Sequence, residues 1–144
     1  MSYSNHWVLA DGTLNNSPIT IRYRDQVSAE QTSGQYPYCV QIAWNADEVD
    51  PASGYPAMDE MERIDLFNKA LMMALEEKQN GLLTMVLTSQ GVNQWVIYAR
   101  SIERVKEALD SIPTEKGLYP IEVVADEDAP WATYTELTAA IMKV

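Results

Sequence analysis

Residues 38–44 read Tyr38-Cys39-Val40-Gln41-Ile42-Ala43-Trp44, an alternation that puts Tyr38, Val40, Ile42 and Trp44 on one face of a strand. The segments C-terminal to it decide how that strand is used. Asn45 to Pro56 carries Pro51, Gly54 and Pro56 among acidic residues, which is the composition of a loop. From Met58 the spacing becomes helical, with Met61, Ile64, Phe67 or Asn68, Leu71, Leu75 and Lys78 on one stripe until Gly81 stops it. Asp59 and Glu62 have capping-box spacing, and an acidic first turn suits the positive end of the helix dipole. Leu82 to Ser89 and Gln94 to Ala99 are β-rich runs joined by Gln90-Gly91-Val92-Asn93, the signature of a hairpin. Ser101 caps a second helix bearing Ile102, Val105, Ala108 or Leu109 and Ile112, Pro113 ends it, and Pro120 to Ala125 makes a last strand.

Strand, helix, strand, strand, helix, strand between Tyr38 and Asp126 is the split βαβ order of a ferredoxin-like α+β sandwich. With right-handed crossovers the sheet should run from the 121 strand to the 38, 95 and 83 strands, with both helices on one face. That face should carry Val40, Ile42, Trp44, Leu83, Met85, Leu87, Trp95, Ile97, Ile121 and Val123. The opposite face, including Gln41, Thr84, Val86, Tyr98 and Arg100, is mixed in character and able to stand open to solvent or a partner.

Outward from this core, His6 to Ala10 and Pro18 to Arg24 read as an N-terminal hairpin around Asp11-Gly12. Ile19, Ile21 and Tyr23 share one face of its second strand, and Thr20, Arg22 and Arg24 the other. Asp25 to Gln35 is polar and reads as a surface loop. After Asp126-Glu127-Asp128, Pro130 suits a first helical turn, and Trp131, Tyr134, Leu137 or Thr138 and Ile141 come next at helical spacing. The expected organisation is one domain over 1–144: hairpin and loop 1–35, ferredoxin-like core 36–126, C-terminal helix 127–144. Either the 83 strand or the 121 strand is left as an edge, depending on where the hairpin docks, so a monomer or a homodimer is expected.

The 144 residues carry 21 acidic and 10 basic side chains, a formal charge of −11. Such a field repels phosphate backbones and works against direct nucleic-acid or anionic-membrane binding, while it can steer the chain to a basic protein surface. The opening residues lack a cationic start and an apolar run, no stretch is long enough to span a membrane, and Cys39 stands alone, so a cytoplasmic location is expected. Cys39 itself reads as a packed thiol in a strand.

Catalytic chemistry finds little to work with. His6 is the one histidine, so a nucleophile–base pair would have to be built on it, and His/Cys metal binding fails on counting. The acidic runs 47–50 and 126–128 lack calcium-loop spacing, and the six glycines stand apart rather than forming a phosphate-binding motif. No catalytic residue, metal ligand or cofactor is therefore assigned. The candidate binding residues are Arg22, Arg24, Tyr98 and Arg100, which could form an anion or peptide site on the open sheet face, and Trp131 with Tyr134, which could form a docking stripe.

Trp7, Gly12, Pro18, Ile21-Arg22-Tyr23-Arg24, the 38–44 strand, Gly54-Tyr55-Pro56, Thr88, Gly91, Trp95, Tyr98, Trp131 and Tyr134 occur in an order that resembles the bacterial family catalogued as domain of unknown function 695. The resemblance implies no catalytic residues. Members of that family are sometimes joined to a domain like the B-type protein regulator of RNase E, which acts by binding the enzyme, and this implies by analogy an interaction role in RNA turnover. The expectation is a noncatalytic protein-interaction or regulatory module. The alternatives are a small anionic ligand-binding domain and an enzyme with carboxylate-based chemistry.

Overall fold

The structure is a computed structural model that describes residues 6–14, 17–52, 55–76, 80–89, 91–112 and 121–142. Its elements in chain order are β1 (Trp7–Leu14), β2 (Ser17–Arg24), α1 (Ser28–Thr32), β3 (Tyr38–Asn45), α2 (Met58–Glu76), β4 (Gly81–Ser89), β5 (Val92–Ala99), α3 (Ile102–Asp110), β6 (Ile121–Glu127) and α4 (Ala132–Met142). Together they make a mixed α+β fold whose six strands form one antiparallel sheet, in the order β1-β2-β4-β5-β3-β6. The order β6-β3-β5-β4 is the one expected from right-handed crossovers. The hairpin extends the sheet by pairing β2 with β4, which makes the 83 strand internal and leaves β1 and β6 at the edges.

The α2 stripe is buried as its period requires: Ile64, Phe67, Leu71 and Leu75 pack with Val105, Ala108 and Ile112 of the α3 region onto Val40, Ile42, Trp44, Leu83, Trp95 and Ile97. Phe67 meets both Trp44 and Trp95 edge-on, at centroid distances of 5.8 and 5.0 Å. Ser101 sits in extended backbone at the α3 N-cap, but its side chain makes no capping bond.

Four expectations change. The second face is closed: Trp131, Tyr134 and Leu137 from the α4 region, with Val27 and Tyr36 flanking α1, cover Ile19, Ile21, Leu82, Met85, Leu87, Val96 and Tyr98. Met85 and Leu87 belong to this second face and Val86 to the α2 face, the reverse of strict alternation, because the register shifts between Leu83 and Met85. The extra residue, Thr84, is fully buried and its hydroxyl donates to the Val96 carbonyl at 2.8 Å, so the bulge inverts the phase of every later side chain in β4. Finally, the stretch 25–35 contains a short helix, and Pro130 precedes α4 rather than entering its first turn.

Candidate functional site

Cross-strand register decides which candidate residues can meet. Arg22 lies opposite Val86, and Val86 opposite Trp95, so Arg22 and its face-mate Arg24 point to the α2 side. Tyr98 lies on the α4 side. The four residues Arg22, Arg24, Tyr98 and Arg100 therefore do not converge. Arg24 is 1% exposed, donates to Glu76 at 2.7 Å and lies 4.8 Å from the Trp7 ring centroid, a buried structural ion pair. Burial raises the Glu76 pKa, an effect Arg24 partly offsets. Arg100 is exposed, with its guanidinium 4.9 Å over the Tyr36 ring and bonded to the Tyr36 hydroxyl at 3.2 Å. Arg22 is exposed and lines a cleft between the hairpin and α2.

Trp131 and Tyr134 are core residues, not a surface stripe. Trp131 is 1% exposed, stacks on Tyr98 with centroids 4.1 Å apart, and donates its indole N–H to the Tyr36 carbonyl at 2.9 Å. Tyr134 donates to the Arg24 carbonyl at 2.6 Å, and burial pushes its phenol up to about 12. Burial and the bond to Asp128 push the Tyr98 phenol well above its usual range. Cys39 is buried and its thiol is pushed up to about 11, chiefly by desolvation.

Two carboxylates do structural work. Glu60 accepts the Trp44 indole N–H at 2.8 Å and the amides of Asp47 and Glu48, which pins residues 47–48 to α2. Asp128 accepts the amides of Ala132 and Thr133 at the start of α4 and the Tyr98 hydroxyl. Burial alone would raise both pKa values, but these donated bonds outweigh it and hold both carboxyls below the usual range. His6 pairs with Asp25 at 2.6 Å in an exposed position. Among the described residues no three His, Cys, Asp or Glu side chains come together as a metal site, and no helix is long and apolar enough to cross a membrane.

Two open places stand out among the described residues. The first is the edge strand β6, paired on one side to β3 through Val123–Ile42 and Val124–Gln41. Val123 and Val124 are 43% and 58% exposed on its two faces, and Glu122, Asp126 and Glu127 are exposed beside them. The second is the cleft between the hairpin and α2, of about 180 Å³, with Val86 and Ile64 among its apolar lining and Thr20, Thr88 and Asn93 forming a polar wall. Thr88 donates to Asn93 Oδ1 at 2.8 Å. Asn93 is 2% exposed, and its Nδ2 has no partner.

A family model, described as Family of unknown function (DUF695), matches residues 5–138. The chain belongs to this family. No curated protein and no solved structure matches it.

In this DUF695 chain the residues that matter to the open places were mostly silent in sequence. Asn93 sits in a hairpin turn signal, and Thr88 looks like any polar residue ending a strand. Only the register, which sets Thr20 opposite Thr88 and Thr88 opposite Asn93, lines them up in one row. Among the described residues Asp65 is the carboxylate that lines the cleft.

Proposed function

We propose that this chain is a noncatalytic interaction module that takes an extended, basic segment of a partner protein as an added strand along β6. The observation that carries the reading is the β6 edge itself, where two exposed valines on opposite faces stand among Glu122, Asp126 and Glu127. An edge strand offers main-chain donors and acceptors to any extended chain, and its flanking charges choose which one. Pairing with a second copy would bring like charges across from one another, whereas a lysine- or arginine-bearing strand meets opposite charge. The net charge of −11 supports the same preference at long range.

We further infer that β3-α2-β4-β5-α3-β6 is a ferredoxin-like unit. Its strand order and antiparallel pairing support this, and so does the position of α2 and α3 on one face. In that reading β6 is the last strand of the unit, and the N-terminal hairpin occupies the opposite edge.

The test is a titration of the labelled protein with a synthetic peptide of alternating valine and lysine, followed by amide NMR. Shifts should concentrate in residues 121–127 and their β3 partners, and should vanish in a Glu122→Lys/Asp126→Lys/Glu127→Lys variant that keeps its fold. Shifts that map elsewhere, or that survive charge reversal, sink the proposal.

A further inference from the structure

The cleft between the hairpin and α2 holds an incompletely satisfied polar wall, and its position is independent of β6. Buried side-chain polar atoms almost always have a partner, so a buried amide N–H2 without one asks for an explanation. Asn93 uses its Oδ1 for the Thr88 hydroxyl and leaves Nδ2 as a buried donor beside the cleft. A cleft occupant that presents an acceptor to Asn93 would supply that missing partner.

The rim adds a second requirement. Arg22 and Asp65 both line the cleft, both are exposed, and no ion pair joins them among the described residues. Opposite charges held apart on one opening match a ligand that carries both signs itself. The rest of the lining is apolar, from Leu9, Met61, Ile64 and Val86, apart from Asn68, whose Oδ1 already accepts the Trp95 indole N–H. The volume of about 180 Å³ corresponds to roughly six waters at about 30 Å³ each, which suits a metabolite-sized molecule and not a drug-sized one.

We infer that the cleft binds a free α-amino acid whose short side chain ends in a hydrogen-bond acceptor, of the glutamine and asparagine class. The carboxylate faces Arg22, the ammonium faces Asp65, the methylenes cover Val86 and Ile64, and the side-chain carbonyl accepts from Asn93 Nδ2.

The experiment titrates the full chain with L-glutamine, L-leucine and glutaric acid monoamide, which lacks the ammonium group, and follows amide shifts of residues lining the cleft. L-glutamine should bind at millimolar concentration, with L-leucine weaker because it leaves Asn93 unpaired. Asn93→Ala should weaken glutamine about ten-fold, the equivalent of one hydrogen bond, and leave leucine unchanged. Asp65→Asn, an exposed change on α2, should weaken both amino acids and leave the monoamide unchanged. Circular dichroism confirms that each variant folds. The inference is overturned if no probe shifts the cleft residues, if glutamine binding is indifferent to both substitutions, or if crystals grown with glutamine hold only ordered water at Asn93.

Discussion

The Tyr98 hydroxyl donates to Asp128 Oδ2 at 2.7 Å while accepting the Tyr134 amide at 3.1 Å, so one phenol ties the middle of the sheet to the first turn of α4. Tyr98→Phe keeps the stack on Trp131 but removes the acceptor of the Tyr134 amide and one of the three donors to Asp128. Unfolding in urea should show a loss of about 1–3 kcal/mol. A change within about 0.5 kcal/mol would mean that solvent replaces the hydroxyl at no cost.

Asp128 and Glu60 also set an acid limit. Their folded-state pKa values lie below the usual range. Their contribution is therefore complete above the unfolded carboxylate pKa and is lost as pH falls through the folded value. Glu76, raised by burial, acts with the opposite sign, its contribution fading as pH rises through its folded pKa. Stability should fall as pH drops below about 4, the unfolded carboxylate range, and Asp128→Asn should flatten that slope. An unchanged slope in the variant would remove Asp128 from the account.

The buried pair Arg24–Glu76 should respond unequally to its two truncations. The Arg24 side chain is 1% exposed and that of Glu76 18%. Glu76→Ala leaves a buried cation and should cost about 3–5 kcal/mol, whereas Arg24→Met leaves a carboxyl whose pKa desolvation already raises and which can take up a proton, and should cost less. The double variant should cost less than the sum of the two. A strictly additive cycle contradicts the pairing.

Gly91 stands at φ +75°, and a Cβ there would come within 2.6 Å of Val49 Cγ2. Gly91→Ala should therefore cost about 1–3 kcal/mol, part backbone strain and part overlap. Adding Val49→Ala should recover only the overlap, leaving the left-handed penalty of about 1–2 kcal/mol. Thermal melts of the single and double variants separate the two parts.

Cys39, 3% exposed and with its thiol pushed up to about 11, should resist alkylation at neutral pH in the folded protein. Mass spectrometry after iodoacetamide treatment should show modification only once denaturant is added. Rapid labelling of the native chain would place the thiol in an opening not present in this structure.

Much of the architecture was legible because strands and helices advertise one-sided burial through their periods. Ile19 and Ile21 point inward from β2 as alternation requires, and Ile64, Phe67, Leu71 and Leu75 mark the α2 stripe. The order of β6, β3, β5 and β4 came from the element sequence and the crossover rule. Illegible were the roles of Glu60 and Asp128, since an acidic residue in a first turn or a corner looks the same whether it is solvated or accepts three bonds.

The amino-acid order by itself determined which segments become strand or helix and which side chains must leave water, because those are properties of neighbours along the chain. Tertiary structure alone decided the rest. The bulge at Thr84 moved Met85 and Leu87 to the second face, a choice set by what packs there and not by local pattern. The docking of β2 on β4 sent Arg22 and Arg24 to the side away from Tyr98, so the four-residue site read from sequence never assembles. The closing of the second face by Trp131 and Tyr134 turned a candidate docking stripe into core. Each of these depends on residues far apart in sequence meeting across the sheet, and no window along the chain contains both partners.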